Sequence, residues 1–436
     1  MPTTRRQFLH TALANSAALA PASLALQPVL AGRKRGRLKI AVVTSAFYKY
    51  SHSQHIVDRF LEGYGWEGRH HRPDMDIVSM YVQQKAANDL SAERYKRYSG
   101  LRKSDTIADA LTLGTGTLAV DGVLLIGEHG NFPVNKKGQK LYPRYEYFQK
   151  IVEVFKNSGR TAPVFNDKHL SWNWDWAKEM YDTARAMDFG FMAGSSLPVA
   201  RRLPSVDLER GTRITESLVM RPGWLDGGDI HTIEALQAII ERRDKGESGV
   251  TWVEALQGER FWTAMQAGSW EKGGWDRGLV TAAISRSNTL QEVRDGYGVV
   301  MPTLSDMKRM APGSYAYRFQ YRDGTRATAI AFQEKLNNGR ILTDTPVAIR
   351  QKDGKIFSTL IYLPYYSMRN FFNPQVHHIE TLFRTGKSPY PVERTLLTTG
   401  LTAAGVESLY QKQKRIQTPH LAIKYKATKK STFWRT

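Results

Sequence analysis

The segment spanning residues 120–204 constrains the fold most, because three short apolar runs alternate in it with two longer amphipathic stretches. Gly122–Ile126 is wholly apolar, which is typical of a strand buried on both faces of a parallel sheet. Residues 145–157 carry apolar side chains at helical spacing, and residues 163–165 and 189–193 are further short apolar runs. This order of strands and helices, with short connections, predicts a parallel α/β unit.

Polar residues follow the first two predicted strands at the point where each strand ends. Glu128 and His129 come after the first strand, and Asp167, Lys168 and His169 come after the second. In open α/β sheets, ligands bind in the crevice beyond the carboxyl ends of the strands. The sequence therefore predicts a functional site at this edge of the sheet.

The order of a strand, a polar tip, a helix and a second strand with a lysine at its tip resembles the Gfo/Idh/MocA family. That family includes glucose–fructose oxidoreductase and inositol dehydrogenase, and its members carry a Glu-Lys-Pro tip. Here the tip is Asn166-Asp167-Lys168-His169, so Lys168 matches the family lysine, the acidic residue is shortened to aspartate and the proline is absent. Residues 377–425 resemble the family's closing helix and final strand. The resemblance spans roughly residues 37–425.

The fold that this resemblance implies is a Rossmann-like parallel sheet domain followed by a C-terminal α+β domain with a mostly antiparallel sheet. We expect residues 32–204 to form the first domain and residues 205–400 the second. Residues 401–436 would then form a closing helix and a basic tail.

Two further strands are predicted nearer the N-terminus. The first of these, residues 38–43, leads into a connection without the usual phosphate-binding glycines. Residues 44–55 contain no glycine, and the second strand ends in Gln83 and Gln84, where dinucleotide-binding relatives often have an acid. The helix that follows Ser51 still points its N-terminus at the crevice, where it can hold an anion. The resemblance implies NAD or NADP, and the residues predicted to bind it are Thr44, Ser45, Ser51, His52, Gly127, Glu128, His129 and Asp167.

The second domain is predicted to supply the other wall of the site. Gly227 and Gly228 precede residues 229–242, whose pattern predicts an amphipathic helix. In the family, an aspartate and a histidine open this helix and face the substrate, so the resemblance implies His231 with Asp229, or Asp226 in its place.

The catalytic residues implied are therefore Lys168, His231 and Asp229. The predicted activity is oxidation or reduction of a sugar, glycoside or polyol hydroxyl with a nicotinamide cofactor. We expect Lys168 to be an exposed strand-tip side chain that shares the hydroxyl proton with His231. The alternatives are a surface lysine that caps the next helix and a histidine that only bonds a carbonyl.

A second hypothesis is a non-redox descendant of the same fold. It would bind carbohydrate, or use His52, His55 and His169 with the nearby carboxylates for metal-assisted chemistry, although these residues lack a defined ligand spacing. The three tryptophans at positions 172, 174 and 176 suit either stacking on sugar rings or core packing. A scaffold protein is a third possibility, but it leaves the polar residues at one sheet edge without a role.

Charge and composition narrow the class of partner. The net charge is +21, but the basic residues are dispersed and no nucleic-acid-binding motif occurs, so we do not expect a nucleic-acid partner. No apolar run reaches 18 residues, so no membrane span is expected in the mature chain. The chain has no cysteine, which excludes disulfides and thiolate metal ligands. The composition does not decide whether the chain forms a homo-oligomer.

The amino terminus resembles a twin-arginine export signal. Arg5 and Arg6 precede a weakly apolar stretch rich in alanine and leucine, and residues 1–31 form the predicted signal. We therefore expect a periplasmic or otherwise exported protein. Export of a folded chain is compatible with a tightly held cofactor.

Overall fold

The computed structural model describes residues 36–294, 298–337, 339, 341–365 and 368–435. The predicted export signal, residues 1–31, lies outside the described residues. Among the described helices, none combines the length and the apolar character needed to cross a membrane.

The first domain is a six-stranded parallel sheet with the order β5-β4-β1-β6-β7-β8. Its elements are β1 (Leu38–Ala46), α1 (His52–Glu62), β2 (Tyr64–Trp66), β3 (Arg69–His71), β4 (Met75–Gln84), α2 (Ser91–Arg97), β5 (Arg102–Ser104), α3 (Ile107–Thr112), β6 (Gly122–Ile126), α4 (Arg144–Ser158), β7 (Val164–Asp167), α5 (Trp174–Ala186) and β8 (Phe191–Gly194). β2 and β3 form a separate hairpin. Setting this hairpin aside, the strand order is that of a doubly wound Rossmann sheet, whose direction of winding reverses between β1 and β6.

β6 lies inside this sheet, as the sequence predicted. All five of its residues are buried, and it pairs in parallel with β1 on one side and β7 on the other. Gly122 is required by packing rather than by backbone conformation, because a Cβ atom there would lie 2.6 Å from the ring of Phe383. The C-terminal part of the chain therefore packs directly onto the central strand.

The second domain is built on an eight-stranded sheet with the order β18-β11-β14-β15-β10-β16-β17-β9. Only β10 and β15 pair in parallel in this sheet, so it is mostly antiparallel, as predicted. The elements are β9 (Arg202–Leu203), β10 (Ile214–Pro222), α6 (Asp229–Ile240), β11 (Val250–Gln257), α7 (Glu259–Ala267), α8 (Arg277–Arg286), β12 (Glu292–Arg294), β13 (Gly298–Val300), α9 (Leu304–Met310), β14 (Tyr315–Tyr321), β15 (Arg326–Phe332), β16 (Thr345–Gln351), β17 (Ile356–Ile361), α10 (Asn373–Thr385), α11 (Glu393–Tyr410) and β18 (Ile416–Gln417).

α6 is buried on all sides, and the prediction of an amphipathic helix is wrong. All twelve of its residues are buried, because the helix lies between the sheet at β10 and the closing helix α11. Glu234 within it accepts hydrogen bonds from the Ser195 N–H at 2.7 Å and from the Thr395 hydroxyl at 2.8 Å. Glu234 therefore ties the middle of α6 to the first domain.

The last two long helices return to the first domain. α10 packs against α1, β7 and β8, and α11 packs against α5 as well as α6. The predicted division at residue 400 falls inside α11. The C-terminal chain thus packs back onto the first domain.

Candidate functional site

Three residues with unusual backbone conformation mark the site. His129 (φ 70°), Lys168 (φ 63°) and Asp226 (φ 63°) lie in the left-handed region, which residues other than glycine seldom occupy. His129 follows β6, Lys168 follows β7, and Asp226 precedes α6. Such strain concentrates at functional sites, where the surrounding structure holds it in place.

A buried ion-pair network joins the two strand tips. Lys168 Nζ lies 2.8 Å from Glu128 Oε1, and the other carboxylate oxygen of Glu128 accepts a hydrogen bond from Arg144. Burial alone would raise the pKa of Glu128, but Lys168 and Arg144 together hold it well below its usual range. Glu128 therefore stays ionised and fixes the position of the lysine.

Lys168 is not the exposed side chain that was predicted. It is 1% exposed, and its Nζ also donates to the carbonyl of Gly227 at 3.4 Å. The alternative of a surface lysine that caps a helix is likewise wrong. Lys168 instead reaches from the parallel sheet to the segment that leads into α6.

His52 and Asp167, both predicted to bind a cofactor, form a pair with each other. His52 opens α1, and its Nδ1 lies 2.7 Å from Asp167 Oδ2. The ring centroid of His52 is 5.3 Å from that of His129 and 6.1 Å from that of His231. The pair therefore lies near both His129 of the first domain and His231 of the second. Ser51 caps α1 by accepting the Gln54 N–H at 3.2 Å.

Thr44, Ser45 and Gly127 support the site from behind. The Thr44 hydroxyl donates to the Ile126 carbonyl at 3.0 Å, and the Ser45 hydroxyl donates to the Glu128 carbonyl at 2.7 Å. A Cβ at Gly127 would lie 2.8 Å from the Arg144 side chain, so the glycine makes room for that arginine. Both hydroxyls are fully buried and hold β1 against the tip of β6.

Asp229 is held by two tyrosines on the neighbouring sheet. Its carboxylate accepts hydrogen bonds from Tyr315 Oη at 2.6 Å, from Tyr317 Oη at 2.8 Å and from the Asp226 N–H at 2.8 Å. Burial raises the pKa of Asp229 to about 6, although these donors oppose the shift. The carboxylate thus anchors the start of α6 to β14.

His231 faces the crevice from the second domain. Asp229 does not hold it as expected, because the two tyrosines and a main-chain N–H occupy the aspartate oxygens. Its Nδ1 is buried and has no hydrogen-bond partner among the described residues. Burial, together with the charge of Lys168, lowers the pKa of His231 well below its usual value. The ring is therefore neutral near pH 7.

Several residues of the site were not predicted from the sequence. Arg144 comes from the start of α4 and Gln139 from the loop before it; Gln139 Nε2 donates to Asp226 Oδ1 at 3.0 Å. The two tyrosines of β14 were also missed. Their spacing of two residues places them on the same face of a strand, which is the signal that could have identified them.

Two alternatives find no support among the described residues: sugar stacking by Trp174 and Trp176, and a metal site at the strand tips. Trp176 stacks on Tyr145 with centroids 4.7 Å apart, and Trp174 packs against His420, so these rings join helices rather than line the crevice. Among the described residues, one trio of His and carboxylate side chains brings its ligand atoms within 4.8 Å of one another. That trio is His71, His377 and Glu380, outside the crevice.

The polar atoms left unpaired in the crevice fit a hydroxylated ligand. His129 Nε2, Asp167 Oδ1 and His231 Nδ1 are buried without hydrogen-bond partners among the described residues, although such atoms are normally paired. These atoms suit the ribose of a dinucleotide and the hydroxyls of a substrate. The phosphate-facing loop is different, because Phe47 is fully buried and the Tyr48 ring lies 5.4 Å from that of His129. A pyrophosphate would meet the start of α1 instead of glycines.

No protein-family model matches the chain, and no curated protein matches it. Solved structures do. The chain is similar to GenD2 from gentamicin A biosynthesis in complex with NAD, with a TM-score of 0.54, 9% identity, and coverage of 88% of this chain and 97% of the other. It is also similar to a probable dehydrogenase from Thermotoga maritima, with a TM-score of 0.52, 10% identity, and coverage of 88% and 100%.

At this identity the similarity establishes the fold. The fold is the one that the Gfo/Idh/MocA resemblance implies. It combines a Rossmann-like parallel sheet domain with a mostly antiparallel sheet domain, and the cluster around Lys168 lies where the two meet.

Proposed function

We propose that the chain is an oxidoreductase of the Gfo/Idh/MocA type that acts on a hydroxyl group of a sugar, glycoside or polyol with NAD or NADP. The observation that carries this proposal is the position of Lys168. Glu128 holds it beside the point where the sheet reverses its winding, and His231 faces the same crevice from the second domain. The similarity of the fold to a protein solved with NAD supports the choice of cofactor.

The roles of the chain's own residues follow from their surroundings. A bound nicotinamide supplies the acceptor for the hydride that leaves the substrate carbon. Lys168, as an ammonium paired with Glu128, donates a hydrogen bond to the substrate oxygen and stabilises its developing negative charge. Neutral His231 accepts the hydroxyl proton at Nδ1. Lys168 thus acts as an electrostatic donor, and the histidine acts as the base.

The cofactor itself would be held by three features. Asp167 Oδ1 and His129 Nε2 have no partner among the described residues and suit ribose hydroxyls. The start of α1, capped by Ser51, faces the crevice with the main-chain N–H groups that any helix terminus offers an anion. Two side chains and a helix N-terminus would thus bind the cofactor in place of a glycine-rich loop.

Calorimetric titration with NAD and with NADP tests this assignment. We expect one of them to bind with one molecule per chain. Asp167→Asn should weaken it about tenfold or more, which is the effect of removing one hydrogen bond to a charged group. The control is Asp182→Asn, on the exposed face of α5, which should leave the affinity unchanged. Binding of neither dinucleotide contradicts the redox assignment.

Two observations favour a second candidate. Phe47 and Tyr48 stand where glycines would approach the pyrophosphate, and the His52–Asp167 pair resembles a positioned general base. The second candidate is therefore a non-redox protein that binds carbohydrate or transfers a proton on it. It takes precedence if neither dinucleotide binds while a sugar or polyol does. Titration with zinc, manganese and calcium, compared with and without the sugar, tests its metal-assisted form.

We also propose that the chain is exported through the twin-arginine route, on the basis of Arg5, Arg6 and the apolar stretch after them. Replacing both arginines by lysine should trap the precursor in the cytoplasm, as fractionation and immunoblotting would show. The control replaces Arg33 and Arg35 by lysine, outside the motif, and should be exported normally. Unimpaired export of the first variant would mean that residues 1–31 have another role.

A further inference from the structure

A second cluster of ligand-type side chains lies away from the crevice, between the β2–β3 hairpin and α10. His71 ends β3, and His377 and Glu380 lie three residues apart on one face of α10. Their ligand atoms lie within 4.8 Å of one another. His71 and Glu380 are 309 residues apart in the chain, so no local spacing in the sequence brings them together.

The spacing of the atoms suits a small tetrahedral centre. His71 Nε2 is 2.9 Å from Glu380 Oε2, and Tyr64 Oη is 3.4 Å from His377 Nδ1. Tyr64 also donates a hydrogen bond to Glu380. Zinc bonds to nitrogen and oxygen of about 2.0–2.1 Å place the ligands of a tetrahedral site roughly 3.3 Å apart. These four groups need only small side-chain movements to surround one ion.

Neighbouring rings fix the orientation of one histidine. Trp66 stacks on His377 with centroids 4.2 Å apart and an interplanar angle of 16°, and Trp434 stacks on Trp66 at 5.5 Å. Glu380 is 1% exposed, whereas His71 and His377 are only partly buried. The donor set is therefore preorganised and retains access to solvent.

An open cleft lies beside the cluster and is lined by Tyr64, though not by the three proposed ligands. It has a volume of about 880 Å³, and its lining includes Tyr64, Trp66 and His70. One cation competes for the carboxylate, because Arg384 Nη2 lies 3.7 Å from Glu380 Oε2. The Arg384 side chain is half exposed, so it can move into solvent when an ion arrives.

We propose that His71, His377 and Glu380 bind one Zn²⁺, with Tyr64 or a water as the fourth ligand. Two imidazoles and one carboxylate are a donor set that zinc accepts, whereas calcium and magnesium prefer oxygen ligands throughout. The ion ties the β2–β3 hairpin to α10. Because α1 leads directly into β2 and packs against α10, the ion also braces the helix that carries His52.

Zinc titration of the full chain tests the proposal. Wild-type protein, freed of metal by a chelator, should bind one Zn²⁺ per chain by calorimetry, and Co²⁺ should give the visible spectrum of a tetrahedral site. His71→Ala and His377→Ala should each weaken binding about a hundredfold or more, since loss of even an outer-shell partner costs about 10- to 100-fold. His70→Ala is the matched control, because His70 is the exposed neighbour in the same strand.

Arg384→Gln separates a metal site from a simple His–Glu ion pair. Removing the competing cation should raise the zinc affinity severalfold, whereas an ion pair alone would bind no zinc in either protein. Zinc should also raise the melting temperature of wild type and not of the histidine variants, because a ligand stabilises the state that binds it.

Anomalous scattering from a zinc-soaked crystal of wild type locates the ion without any variant. An ion held by these residues supports the proposal. Failure of wild type to bind zinc overturns it, as does wild-type affinity in both histidine variants.

Discussion

Lys168→Ala is expected to lower kcat by about a hundredfold or more, the range for a positioned acid–base or charge-stabilising group. The side chain is the cation that Glu128 holds at the tip of β7, and Gly227 of the opposite wall accepts from the same Nζ. Without this ammonium group, the developing charge on the substrate oxygen would lose its donor.

The fold should survive the substitution. Glu128 keeps Arg144 as a partner, so the buried carboxylate is not left without a counter-ion. Lys168→Met serves as a second variant that preserves the buried volume. The affinity for dinucleotide should change much less than kcat, because the lysine contacts the reacting oxygen and not the phosphates.

Turnover would be followed by the absorbance of reduced nicotinamide, using a panel that includes myo-inositol, glucose and methyl glucoside. His231→Ala is measured beside Lys168→Ala, and Lys178→Ala, an exposed lysine paired with Asp182 on α5, is the control. Full turnover in the Lys168 variants would show that this chain did not inherit the chemistry implied by the family resemblance.

The parallel sheet was predictable because its signal is local. A wholly apolar run such as Gly122–Ile126, followed by polar residues and a helix of regular spacing, predicts both a central strand and the position of the site. The chain order of the tips then places Glu128 and Lys168 together, because parallel strands end at the same edge.

The chemistry of the site was harder to predict because its contacts are distant in sequence. His52 and Asp167 are 115 residues apart, and Tyr317 and Asp229 are 88 residues apart. The burial of Lys168 depends on the second domain, whose approach no local pattern describes. α6 was predicted to be amphipathic for the same reason, because no local pattern shows which elements will cover a helix. Its polar side chains find partners inside the protein rather than water.

Glu128→Gln is expected to destabilise the protein by about 3–5 kcal/mol, which is the cost of breaking a buried ion pair from one side. The glutamine has nearly the same shape but leaves Lys168 and Arg144 buried without an anion; these side chains are 1% and 0% exposed. The two cations would then also repel each other. Denaturant unfolding gives the difference in the free energy of unfolding.

The control is Glu153→Gln, which removes an exposed pair with Lys150 on α4 and should cost less than about 1 kcal/mol.

The pH dependence provides a second check. Glu128 has a depressed pKa in the folded state, so its contribution is present above the unfolded pKa of about 4.3 and is lost as the pH falls below it. The difference between wild type and Glu128→Gln should therefore be constant from pH 7 to about pH 5 and shrink in more acid solution. Adding Lys168→Gln to Glu128→Gln removes one of the unpaired cations and should restore part of the lost stability. A pair that contributed only as an exposed salt bridge would cost less than about 1 kcal/mol on substitution and would show no recovery.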